Sequence, residues 1–138
     1  MQQNNTTFNV IHAGIALLAC LSLLHCSDPP CTELSGNWTT REGQSFQFLP
    51  GGKALWLIRF GSQVDTFRME YRYNCQKHPA ELDLSEFQSG PLKGKTLYGI
   101  LEWANDSSFR FDSETGYSAD VRPATFENDQ TQKFFREN

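Results

Sequence analysis

The run Asp65-Thr66-Phe67-Arg68-Met69-Glu70-Tyr71-Arg72-Tyr73 alternates large apolar side chains with charged ones. Successive side chains of a strand point to opposite faces, so Phe67, Met69, Tyr71 and Tyr73 share one side, and Arg68, Glu70 and Arg72 the other. A helix would scatter the same aromatics around its circumference. The run therefore predicts a strand with one face buried.

The residues on either side repeat the pattern. Upstream, Ser45-Phe46-Gln47-Phe48-Leu49 alternates and stops at Pro50-Gly51-Gly52, a strong turn signal, and residues 54–60 return as a dense apolar strand, which together make a hairpin. Earlier still, Leu34-Ser35-Gly36-Asn37-Trp38-Thr39-Thr40 reads as the opening strand. Downstream, residues 74–79 turn the chain, and Leu82 and Leu84 then alternate with Glu81 and Asp83. After a loop containing Gly90-Pro91 and Gly94, residues 96–103 and 108–112 predict a second hairpin about Ala104-Asn105-Asp106. Residues 117–126 offer a last strand, broken by Pro123, and residues 131–138 form a polar tail that docks as a short helix or frays. About eight short strands at roughly ten-residue intervals predict an all-β antiparallel barrel or sandwich.

Composition narrows the function classes. The chain has 138 residues, a formal net charge of -4, and 13% aromatic residues, eleven of them Phe. That length holds one modest core and no second domain. The net charge supplies no positive field to collect nucleic acid or an anionic membrane surface. The aromatics suit strands, whose pleated, half-buried surface they fit well.

The N-terminus reads as an address. No Asp, Glu, Lys or Arg precedes Asp28, and the apolar run over residues 10–24 is shorter than the roughly 20 residues a spanning helix needs. Residues 1–25 are expected to be a secretory or lipoprotein signal, with a membrane-anchoring helix as the alternative. Leu17-Leu18-Ala19-Cys20 resembles a bacterial lipobox, with a small residue before the thiol that takes the lipid. Cys26 is the alternative, better placed at the end of the apolar run but preceded by the bulky His25. Residues 26–33, with Asp28-Pro29-Pro30, are expected to be a tether, residues 34–127 the barrel, and residues 128–138 the tail. An exported chain meets an oxidising compartment, where Cys31 and Cys75 can join the tether to a turn between strands; two free buried thiols are the alternative.

Reactive constellations are scarce. Outside the signal only His78 remains, in a Lys77-His78-Pro79 turn, so neither a nucleophilic triad nor a histidine-rich zinc site is expected, and no cofactor. Gly90-Pro91-Leu92-Lys93-Gly94-Lys95-Thr96 lacks the four residues between glycines, and the following helix, that a phosphate-binding loop needs. Glu81 and Asp83 lie side by side on the outer face of their strand, where they read as solvated charges that discourage edge pairing, not as converging catalytic acids.

The order of Gly36-Asn37-Trp38, then His78-Pro79-Ala80-Glu81-Leu82-Asp83-Leu84, then Gly94-Lys95-Thr96-Leu97-Tyr98-Gly99-Ile100, then Arg122-Pro123-Ala124-Thr125-Phe126 resembles a family of small bacterial lipocalin-like domains. The resemblance covers most of residues 34–126. It implies an eight-stranded up-and-down barrel with a small apolar cavity. It also implies that the opening Trp38 packs at the closed end beneath an Arg from a late strand, by position Arg122, a stacking worth about 1–2 kcal/mol. The chain is shorter than classic lipocalins and has no clear C-terminal helix.

Phe48, Trp56, Phe67, Met69 and Tyr71 are the candidates to line a cavity for a small apolar ligand. The same side chains can instead fill the barrel, because about eight strands leave an interior just wide enough for them. The expected protein is thus an exported, lipid-anchored, non-enzymatic barrel of the bacterial envelope. It binds a small apolar ligand or, alternatively, acts as an interaction or inhibitor domain through exposed loops such as residues 87–95.

Overall fold

Two-residue periodicity is realised in eight strands. A computed structural model describes residues 30–114 and 120–137; the expected signal, with Cys20 and Cys26, and the start of the tether lie outside the described residues. The strands are β1 (Gly36–Thr39), β2 (Gln44–Leu49), β3 (Lys53–Phe60), β4 (Gln63–Asn74), β5 (Ala80–Ser85), β6 (Leu97–Asn105), β7 (Ser108–Ser113) and β8 (Gln132–Arg136). Each pairs antiparallel with the next, and β8 pairs with β1, so the sheet closes into an eight-stranded up-and-down barrel. Closure leaves no long free edge except on β4, whose pairing with β5 begins only at Glu70.

Register carries the apolar face around the cylinder. Trp38 lies opposite Phe46, Phe46 opposite Trp56, and Trp56 opposite Phe67. A second row runs from Phe48 through Ala54 to Met69, and a third from Ala80 through Leu101 to Phe111. A one-residue slip in any of these pairs would turn its apolar set to water. Gly99, paired with Leu82 and Ser113, leaves room for the end of the third row: a Cβ there would overlap the Phe111 ring and the Leu82 carbonyl.

The closing strand differs from the expected one. Residues 120–131 form no strand; of the expected residues 117–126, those from 120 on run as turns and irregular chain, and 115–119 lie outside the described residues. The strand that completes the barrel is Gln132–Arg136, within the stretch expected to be a tail, so the domain ends near Arg136 and not at 127. Pro123 explains part of this, since it cannot donate to a ladder. The rest is geometric: residues 120–131 cross the outer wall of β5, β6 and β7 as a strap. Asp112, buried on that wall, accepts hydrogen bonds from the Glu127 amide at 3.0 Å and the Thr131 hydroxyl at 2.8 Å. Arg110 stacks on Phe126 at 4.0 Å.

The loop over residues 87–95, expected to be exposed, is so at all but two positions, Phe87 and Leu92, which turn inward. Glu86 adopts a left-handed backbone, φ 53°, that redirects the chain at the end of β5. Phe87 is then only 3% exposed and Leu92 packs on the core, while the Gln88 amide donates to the Arg68 carbonyl at 3.0 Å. This loop covers part of the barrel mouth.

Candidate functional site

The closed end is built around Trp38. Its side chain is fully buried, its Nε1 donates to the Leu34 carbonyl at 2.8 Å, and its ring meets Phe109 at 4.8 Å and Trp103 at 5.4 Å. The cation over it is Arg136, not Arg122. The Arg136 guanidinium stands 4.2 Å from the indole and donates to the Ser35 and Glu33 carbonyls at 3.0 and 3.2 Å. Gly36, with φ 114°, leaves room for it, since a Cβ would stand 3.1 Å from Nη1. One side chain therefore stops the floor and ties the tether to the last strand.

Arg122 is on the outer wall, in the strap. It packs over Tyr98 at 5.6 Å, lies 3.6 Å from Glu81, and donates to the Gly99 carbonyl at 2.6 Å. The same nitrogen is 2.7 Å from Asp83, near enough for an ion pair yet off the line of a hydrogen bond. Glu81 and Asp83 are thus half-buried partners of the strap rather than freely solvated charges. The sequence placed both acids on the outer face but gave no sign of what would cover them.

Cys31 and Cys75 form a disulfide, with Cα atoms 5.6 Å apart, that clamps the tether to the β4–β5 turn. Tyr73 accepts a 2.8 Å hydrogen bond from the Trp103 indole just inside that clamp. Nearby, burial and then the Glu33 carboxylate push the Tyr71 phenol above its ordinary pKa of 10.0, because both disfavour the phenolate.

The five cavity candidates are divided by depth. Phe48 and Met69 are 1% and 3% exposed and take part in the packed core, whereas Trp56, Phe67 and Tyr71 are half-buried. Aromatic rings run without a break from floor to mouth: Trp38 to Phe109, Phe109 to Phe134 at 5.2 Å, Phe134 to Phe46 at 4.8 Å, and Phe46 to Trp56 at 5.5 Å. Tyr71 meets Phe48 edge-on at 4.9 Å. These rings occupy the line between floor and mouth.

The clefts are peripheral. At the mouth, Trp56 and Phe111 share a cleft of about 260 Å³ with Ser113, Asp129, Gln130 and Gln132. Near the disulfide, a cleft of about 590 Å³ lies between the tether, the β4–β5 turn and Trp103, with Lys77 and His78 at its rim. Beside the β1–β8 seam, a groove of about 420 Å³ is bordered by Arg41 and Phe135. No protein-family model, curated protein or solved structure matches the chain.

Proposed function

We propose that this chain is an exported, lipid-anchored barrel that acts by contact at its surface, as an interaction module of the bacterial envelope, and neither carries a small apolar ligand nor catalyses a reaction. The carrying observation is the full interior. Trp38, Phe46, Phe48, Phe109 and Phe134, with Leu82, Leu84 and Leu101, are all 0–1% exposed. Ligand pockets are concave spaces of roughly 300–1,000 Å³ that bury most of their guest. The mouth cleft, which reaches the inward-facing Trp56 and Phe111, falls below that range at about 260 Å³, and the clefts of about 420 and 590 Å³ that fall within it lie at the β1–β8 seam and beside the disulfide, with Arg41, Glu42 and Lys133 in the walls of one and Lys77, His78 and Glu102 in those of the other. Displacing a packed aromatic to admit a guest would cost what a core cavity costs, several kcal/mol, before any affinity was gained. Export is supported by the uncharged apolar N-terminus and by the disulfide, which persists in oxidising compartments.

The test is a titration of the full chain with a long-chain fatty acid, followed by tryptophan fluorescence. Trp38, Trp56 and Trp103 report the floor, the mouth and the disulfide end. No saturable change is expected. A one-to-one saturable shift that Met69→Trp abolishes would overturn the filled-barrel reading.

A further inference from the structure

The two strands of the β3–β4 hairpin outrun the barrel wall. Pairing of β2 with β3 ends at Gln44 opposite Ile58, and pairing of β4 with β5 begins only at Glu70. β3 and β4 continue together to Phe60 opposite Gln63, tied at the base by the Arg59 amide donating to the Gly43 carbonyl at 2.8 Å. The result is a two-stranded ribbon standing off the mouth.

Its tip is apolar on both faces. Phe60 is 64% and Val64 41% exposed. Val64 lies opposite Arg59, one step along from Phe60, so the two side chains leave opposite sides of the ribbon. The barrel can cover only one of those sides, and it covers neither.

Around the ribbon the charge departs from that of the whole chain. Between Ile58 and Arg68 the hairpin carries Arg59 and Arg68, both exposed and on its outer face, against Asp65, which is half-buried and engaged by Gln63 at 2.8 Å. Two cations less one anion leave +1, while the chain as a whole carries -4. Charges at the far end of a barrel whose longest strand has twelve residues stand several Debye lengths away, because strands rise about 3.3 Å per residue and physiological salt screens over about 8 Å. A surface meeting the ribbon feels the local sign. Asp129 shares a cleft with Trp56 on the inward side of β3, which favours an approach by the opposite, outer face that carries Arg59, Val64 and Arg68.

We infer that the ribbon tip docks on an anionic lipid surface, with Phe60 and Val64 entering the interface and Arg59 and Arg68 among the headgroups. This rests on the interaction reading above and names its partner. A bilayer closes around an inserted tip from both faces, which suits apolar groups on opposite sides. A protein partner would need a slot of its own, and stable protein interfaces bury about 800 Å² on each side, far more than this tip offers. Aromatic insertion combined with nearby Lys and Arg is the physics of peripheral attachment to anionic membranes.

The test compares binding of the full chain to vesicles of phosphatidylcholine alone and vesicles in which a minority is phosphatidylglycerol. The N-terminal segment has no charged side chain before Asp28 and is identical in the natural chain and the variants, so its own affinity is common to every comparison between them. With two arginines engaged, binding to the anionic vesicles should be roughly tenfold to thirtyfold tighter, and this preference should shrink at high salt. The double variant Arg59→Glu, Arg68→Glu should bring the ratio to one, and Phe60→Ser should weaken binding to anionic vesicles roughly tenfold. Both arginines and Phe60 are exposed, so the core is untouched. Equal binding to both vesicles, or a preference that survives the double variant, would overturn the inference and leave a protein as the ribbon's partner. The interaction reading itself fails only if the fatty-acid titration saturates.

Discussion

Arg136 does two jobs that are usually separate. Its guanidinium lies on the Trp38 face, and its donors hold the Ser35 and Glu33 carbonyls, so truncation removes a cation–π contact and unpairs the partly buried Ser35 carbonyl. Arg136→Ala should destabilise the fold by about 2–3 kcal/mol, seen as a lower melting temperature together with altered tryptophan emission. Arg122→Ala should leave the indole emission unchanged, because Arg122 is on the outer wall. Tyr71 gives a prediction in pH. Its phenol has a folded pKa above the unfolded one, so its contribution is intact below pH 10.0 and is lost as pH rises through the folded value. Chemical denaturation above pH 10 should therefore show a steeper loss of stability in the natural chain than in Tyr71→Phe. Of these residues, Trp38 was legible in the sequence because a lone Trp in an opening strand has few other uses. Its partner was not, because Arg122 and Arg136 both follow the body of the barrel and only register separates them. The two-residue step from inward Phe134 to Arg136 was the signal that could have identified it.

Elements show the same division. The hairpins on either side of Pro50-Gly51-Gly52 and of residues 106–107 form where alternation and turn residues agree. β8 was hidden because Gln132, Phe134 and Arg136 face inward while Lys133 and Phe135 face outward, so the adjacent Phe134-Phe135 pair erased the alternation. The strap was hidden for a different reason: its anchors, Asp112, Arg122 and Thr131, are polar and far apart in sequence. Replacing Asp112 with Ala leaves the Glu127 amide without its acceptor. Hydrogen exchange at that amide should accelerate, with a stability loss of about 1–3 kcal/mol. The disulfide acts on another element, the tether. Reducing a bond that closes a 44-residue separation should cost about 4 kcal/mol on the chain-entropy model, measurable as a lower denaturation midpoint in reductant. An unchanged midpoint would mean that the clamp adds nothing to the floor.

At the scale of the whole molecule, packed side chains cross the barrel interior from wall to wall. Phe46 touches Phe48, Trp56, Phe111 and Phe134, and so joins β2, β3, β7 and β8 across the interior. Phe46→Ala should cost about 3–5 kcal/mol in chemical denaturation, near the upper range for a single core truncation. If the interior were a ligand chamber, the same change would instead enlarge a site already empty and cost little. Fold class was readable because alternation is a local property of the chain. The filled interior was not, since the same inward aromatics serve a pocket or a plug, and only their mutual distances distinguish the two. Closure by β8 is the claim on which the floor, the strap and the solid core all depend. The Glu137 amide donates to the Asn37 carbonyl at 2.9 Å, and Trp38 lies opposite Arg136, which makes the latter a close, non-hydrogen-bonded pair. A nuclear Overhauser spectrum should therefore show a strong contact between the α-protons of Trp38 and Arg136; its absence, with β1 instead in contact with a residue of 117–126, would contradict the account.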